Sequence, residues 1–125
     1  MTSSQIDAFL TFLRDCEQRC RIAEAEEQDA NNETQDILHS LELEPHDYHE
    51  YARMSKELRD VRQCRRRAKD TLTVLSPVLD FVDGNRPFIK SMERLLGDVR
   101  KAEKSWKTGF MFRVNKRIHR EEVQP

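Results

Sequence analysis

The chain has little with which to punctuate itself. Three glycines and four prolines in 125 residues are too few breakers for the many tight turns of a sandwich or barrel. Long apolar runs are missing as well: the stretch from Ile6 to Leu13 is too short and too interrupted for a membrane span or a cleavable leader. A net charge of −1 removes any global pull toward nucleic acid or anionic membrane, so such an affinity must come from local asymmetry. Cysteine is scarce and odd in number, with Cys16 and Cys20 one helical turn apart. A disulfide between them would strain the helix and constrain little, so reduced core thiols of a cytoplasmic protein are expected. No nucleophile motif, glycine-rich phosphate loop or pair of catalytic carboxylates occurs, and Ser76-Pro77 and Cys64 are accounted for as a kink and a flank residue. Neither catalysis nor a cofactor is expected. His39, His46 and His49 fall near Glu42, Asp47 and Glu50, but their spacing is not that of a demanding metal site, and solvated histidines are expected.

What the chain does have is a seven-residue apolar repeat. Ile6, Phe9, Leu13, Cys16, Cys20, Ala23, Glu27, Ala30, Thr34, Ile37 and Leu41 follow one another in alternating steps of three and four. A second series runs Tyr51, Met54, Leu58, Val61, Arg65, Ala68, Leu72, Leu75, Leu79 and Val82. Such periods build helices whose apolar stripes pack along a seam. Folding back at Glu44-Pro45-His46 sets Leu41 beside Tyr51, Cys20 beside Leu72, and the misfits Glu27 and Arg65 beside each other. The expectation is an all-α chain: a long antiparallel helical hairpin, coiled-coil-like, with a shorter third helix forming a tapered three-helix bundle, plus a short C-terminal extended segment. Residues 1–106 would hold the helices and residues 107–125 an extended aromatic-basic tail.

Local signals set the boundaries. Ser4 followed by Asp7 reads as a helix start. The first helix then runs to about Leu43, where Pro45 stops it and Asp47 with Glu50 forms a capping box for the second. Pro77 should kink the second helix near Thr73 without breaking it. Asp83-Gly84-Asn85-Arg86-Pro87 is a turn cluster, after which Phe88, Met92, Leu95, Val99, Ala102 and Trp106 resume the repeat. Phe12, Val74, Val78, Phe81, Ile89 and Leu96 widen the apolar face where three helices would meet, whereas only Leu38, Tyr48 and Ala52 do so near the tip. Phe110-Met111-Phe112-Arg113-Val114 alternates like a strand that has no partner in the chain. It would lie on the bundle, pair with a second copy, or add to a target's sheet.

Two basic features carry the functional candidates. Arg53, Lys56, Arg59, Arg62, Arg65-Arg66-Arg67 and Lys69 make a stripe of the sort that grips phosphates. The facing helix carries Glu17, Glu24, Glu26, Glu27, Asp29, Glu33 and Asp36, so an internally neutralised hairpin is the simpler expectation, with Glu27 and Arg65 as the register-setting pair. Against it, Arg59, Arg62 and Arg66 would form a row pointing away from the acids, open to a ligand. The tail, with Phe110, Phe112, Arg113, Lys116, Arg117, His119 and Arg120, suits either nucleic acid or an acidic protein surface.

Glu33-Thr34-Gln35-Asp36-Ile37-Leu38-His39 and Leu95-Leu96-Gly97-Asp98-Val99-Arg100-Lys101-Ala102-Glu103-Lys104 resemble segments of small helical accessory proteins of phages and prophages of Gram-positive bacteria. The resemblance implies a stoichiometric inhibitor of a host defence system, working in the host cytoplasm by binding an effector complex or sequestering a nucleotide signal. The expectation is thus a non-enzymatic interaction protein, dimeric or larger, that binds a host protein target and no membrane, with Arg62, Arg66, Phe110, Phe112 and Arg113 as contacts. A nucleotide or nucleic-acid binder using the same arginines is the alternative, and a purely structural oligomer a further one.

Overall fold

The computed structural model describes the backbone of residues 1–123 and, among these, all side chains except those of residues 111, 112 and 115–123. Three helices make up almost all of it: α1 (Thr2–Leu43), α2 (Tyr48–Gly84) and α3 (Arg86–Val123). No strand occurs among the described residues. The chain divides into two units, Leu13–Gly84 and Met1–Phe12 with Asn85 onward.

The Leu13–Gly84 unit is the antiparallel hairpin. On α1, Leu13, Cys16, Cys20, Ala23 and Ala30 are buried, and on α2 Met54, Ala68, Leu75 and Val82 are. These are positions the two apolar series nominate. Cys16, Cys20 and Leu75 form a buried cluster, with Leu72, Val78 and Leu79 packed against it. All three cysteines are free thiols. Burial pushes the Cys20 thiol up, with Glu24 and Cys16 adding to the rise, so it stays protonated and serves as a small apolar residue. Pro77 is accommodated inside an uninterrupted α2. Upstream of it, the Thr73 hydroxyl donates to the Lys69 carbonyl at 2.9 Å.

The hairpin tip is held by His46. Its Nε2 donates to the Ser40 carbonyl at 2.9 Å, and its Nδ1 donates to the Glu50 carboxylate at 2.8 Å. One bond caps the C-terminal end of α1 and the other reaches the first turn of α2. Asp47 accepts the Glu50 backbone N–H at 2.8 Å, the first half of the expected capping box. Glu50 does not complete the reciprocal half, because its side chain is engaged by His46. The tip histidine is therefore structural: its ring also meets Tyr51 edge-on at 5.4 Å.

In the other unit the first turns of α1 run alongside α3. Ser3 donates twice to Glu103, from its backbone N–H at 3.0 Å and its hydroxyl at 2.6 Å, and Arg100 pairs with Asp7 at 3.6 Å. The start of α1 is thus capped by a carboxylate from α3, not by Ser4, whose hydroxyl turns back to the Met1 carbonyl. Leu10 of α1 and Leu96 of α3 are buried here and Phe9 is 37% exposed; after Ile6 the repeat takes its step of four before its step of three. The turn between α2 and α3 shrinks to Asn85, whose carbonyl accepts the Ile89 N–H at 3.0 Å.

The largest correction concerns the C-terminal segment. Residues 107–123 are neither strand nor extended tail, since α3 continues through them and is comparable in length to α2. A lone strand leaves its backbone donors and acceptors unpaired, whereas a helix satisfies them internally. Gly109 costs a helix about 1 kcal/mol relative to alanine, and it has no positive φ that would end one. One turn apart, Trp106 and Phe110 stack with centroids 5.4 Å apart, which favours the helix.

Candidate ligand groove on the hairpin

The seam splits each helix of the hairpin into two flanks, and the flanks differ in charge. On α1 the residues just before seam positions Glu27, Ala30, Thr34 and Ile37 are Glu26, Asp29, Glu33 and Asp36. Those just after Glu27, Ala30 and Thr34 are Gln28, Asn31 and Gln35. On α2 the residues after Val61, Arg65 and Ala68 are Arg62, Arg66 and Lys69, while those before Leu58 and Val61 are Glu57 and Asp60. In an antiparallel pair, like flanks face one another across the seam. The acids of α1 therefore face the acids of α2, and the amides of α1 face its cations.

The structure carries this out. A groove of about 840 Å³ is lined by Gln28, Asn31, Asn32, Thr34 and Gln35 from α1 and by Arg62, Arg65, Arg66 and Lys69 from α2. No acid lines it. On the opposite flank Glu26, Asp29, Glu33 and Asp60 line a groove of about 560 Å³ with Ala30, Val61, Cys64 and Arg67. Toward the tip the acidic flank continues with Asp36 and Glu57. Arg67 is the cation of this side and donates to the Cys64 sulfur at 3.1 Å.

The acids and bases are thus sorted to opposite flanks, except for Arg67 on the acidic one. Between residues 22 and 69 no ion pair joins α1 to α2 among the described residues. Arg53 pairs with Glu57 along its own helix, at 3.7 Å. Glu27 and Arg65 sit half-buried at seam positions, but no ion pair joins them, and the register rests on the apolar seam. Gln28 shares a groove with Arg65, and Asp29 shares a groove with Cys64.

Arg65 is the most telling residue. Its Nε is buried and has no hydrogen-bond partner, although the side chain lines the cationic groove. A buried N–H left unmade costs about 1–3 kcal/mol. Neighbouring like charges add to the strain, at about 0.5–1 kcal/mol per pair at water-like dielectric and separations of several ångströms. The groove is thus electrostatically unsatisfied, and an anion would satisfy it. Bidentate guanidinium bonds suit carboxylate and phosphoryl oxygens, and Nε–H is one donor of that fork.

Of the contact residues expected from sequence, Arg62 and Arg66 come together in this groove, with Arg65 between them. Arg59 does not line it. Phe110 and Arg113 belong to α3 and to the other unit, and the side chain of Phe112 lies outside the described residues. The amide row was missed in reading the sequence, although indexing residues by their place after each seam position would have found it. No group of three or more His, Cys, Asp or Glu residues able to hold a metal ion occurs among the described residues. Among them, no helix is long and apolar enough to cross a membrane. No protein-family model, curated protein or solved structure matches the chain.

Proposed function

We propose that the hairpin binds a phosphate-bearing ligand in its cationic groove and that the protein works by binding, not by catalysis. The observation that carries this reading is a groove with four cations, no acid and a buried guanidinium donor without a partner. Sequestration of a phosphorylated small molecule is the simplest action of such a site, and it agrees with the resemblance to phage accessory proteins, some of which hold a nucleotide signal.

Thermal unfolding tests it. A ligand that binds only the folded state stabilises by about 2.7 kcal/mol at a hundred times its Kd. Tripolyphosphate should raise the Tm in a saturable way, and sodium chloride of equal ionic strength should not. Arg62→Glu with Arg66→Glu should abolish the rise while leaving the fold intact, because both side chains are exposed. A Tm unaffected by tripolyphosphate, or a rise that survives the double reversal, would refute the reading.

A second reading, attachment to a protein target, is favoured by a different observation. Trp106 and Phe110 stack on α3 while remaining 59% and 44% exposed. Aromatic pairs of this kind are common anchors of protein interfaces. Lys104, Lys107 and Arg113 flank them in sequence, which suits an acidic target surface. Trp106→Ala should release a host target in a pull-down without altering tripolyphosphate binding.

A further inference from the structure

The groove is not uniform along its length. An antiparallel seam with Glu27 level with Arg65 sets Asn31 level with Val61, so Gln35 lies beyond Arg62 toward the tip and Lys69 lies beyond Gln28 at the opposite end. One end is cationic, with Arg65, Arg66 and Lys69, and the other presents amides. Each row covers seven residue steps, about 10 Å of helix.

Phosphate alone explains the cationic end but not the amide end. An amide both donates and accepts, whereas phosphoryl oxygens only accept, so a purely anionic ligand uses half of what the amides offer. Gln28 and Asn32 are tied together, the Gln28 Nε2 donating to the Asn32 Oδ1 at 3.2 Å. Asn31 and Gln35 line the same groove, and neither side chain makes a hydrogen bond among the described residues. Asparagine is also a poor helix former, at about 0.6 kcal/mol below alanine, and two of them stand adjacent in the middle of α1. The amide end therefore calls for a ligand edge that alternates donor and acceptor.

Resting on the phosphate-binding reading above, we infer that the groove takes an adenine nucleotide, with phosphates on Arg65, Arg66 and Lys69 and the adenine edge on the amides of Asn31 and Gln35. Asn and Gln side chains pair bidentately with the N6 donor and N7 acceptor of adenine, whereas guanine offers two acceptors on the same edge and suits arginine or lysine. Arg62, between the two ends, supplies a planar cation on which a base can stack. The groove volume of about 840 Å³ lies within the range of small-molecule sites, roughly 300–1,000 Å³.

Isothermal titration with ATP, GTP, UTP, tripolyphosphate and a single-stranded oligodeoxyadenylate decides the matter, using the full chain and its Asn31→Leu/Gln35→Leu variant. ATP should bind at least tenfold more tightly than tripolyphosphate, GTP or UTP. The variant should lose that preference while holding tripolyphosphate as the parent does, and its circular dichroism should be unchanged because leucine is a good helix former. Equal affinity for ATP and tripolyphosphate overturns the adenine assignment and leaves the phosphate site standing. A preference for ATP that survives in the variant overturns it too. If the oligonucleotide binds more tightly than ATP, the ligand is nucleic acid and the inference fails. If nothing in the panel binds, the phosphate-binding reading falls with it.

Discussion

Replacing Arg65 with methionine should make the protein more stable, which is the reverse of what removing a half-buried residue usually does. Three quantities set the size of the effect. The Nε–H of Arg65 is buried without a partner, and relieving such a donor returns about 1–3 kcal/mol. Taking one charge from a groove that also holds Arg62, Arg66 and Lys69 relieves repulsion of about 0.5–1 kcal/mol per close pair. Against these stands a modest packing mismatch of up to about 1.5 kcal/mol. The net gain should be about 1–4 kcal/mol, comparable to gains seen when buried ionic groups are replaced by apolar ones of similar volume. Urea unfolding followed by circular dichroism should show a higher midpoint with an unchanged slope. If instead Arg65 is locked to Glu27, the midpoint will fall, and a double-mutant cycle of Arg65→Met with Glu27→Gln will give a coupling above about 0.5 kcal/mol. Either result would refute the account of a groove left unsatisfied. With saturating ligand the order should reverse, because the parent gains binding energy that the variant lacks.

Leu75 is buried against Cys16 and Cys20, so Leu75→Ala should lower stability by about 2–4 kcal/mol, read as a fall in the urea midpoint. His46 donates from both ring nitrogens, which only the imidazolium can do, and its pKa is raised first by the Glu50 hydrogen bond and then by the Ser40 carbonyl. A raised folded pKa means that the clasp contributes fully below the unfolded value of about 6.5 and is lost as pH rises through the higher folded value. The urea midpoint of the parent should fall across that window while that of His46→Gln stays level. Glu103 has the opposite sign: the Ser3 hydroxyl and backbone N–H hold its carboxyl below the usual range. Its contribution is present above an unfolded value of about 4.3 and is lost as pH falls through the lower folded value, so Glu103→Gln should flatten the acid limb of the stability profile.

The hairpin was legible because its signal is redundant. Ten seam positions on α2 repeat one instruction, and a misjudged residue such as Phe9 shifts the stripe by only one place. The turn at Pro45 and the Asp47 cap were readable from stereochemistry alone. What sequence periodicity misjudged were segments in which two periods coincide. Phe110, Phe112 and Val114 alternate, but Trp106 and Phe110 are also one turn apart, and the chain follows the period that needs no partner. Non-local capping was equally hidden. Glu103 and Ser3 are 100 residues apart, and nothing local to either announces the bond, whereas Ser4 near Asp7 resembles a cap without serving as one. His46 was read as a solvated tip residue because its two acceptors lie on either side of a turn and meet only when that turn closes.

The charge sorting was present in the sequence but concealed by adjacency. In Glu26-Glu27-Gln28-Asp29-Ala30-Asn31-Asn32-Glu33-Thr34-Gln35-Asp36 acids and amides alternate so closely that the segment reads as a generally polar face. Indexed against the seam, the same residues fall into two opposed columns. The facing helix repeats the division, and pairing like flank with like flank is a consequence of antiparallel topology, not of any single residue. A hairpin selected for stability alone would set acids opposite bases, as coiled coils do with their flanking positions. This one places Glu33 and Asp36 in a groove with Glu57 and Asp60, and four cations in a groove with none but neutral partners. Violations of local consistency are expected where a fold serves something other than its own stability. The cationic side also holds a guanidinium donor that the fold leaves unmet, whereas no metal-binding group occurs among the described residues of the acidic side. The asymmetry between the two sides, more than the number of arginines, is what makes the cationic groove the place to look for a ligand.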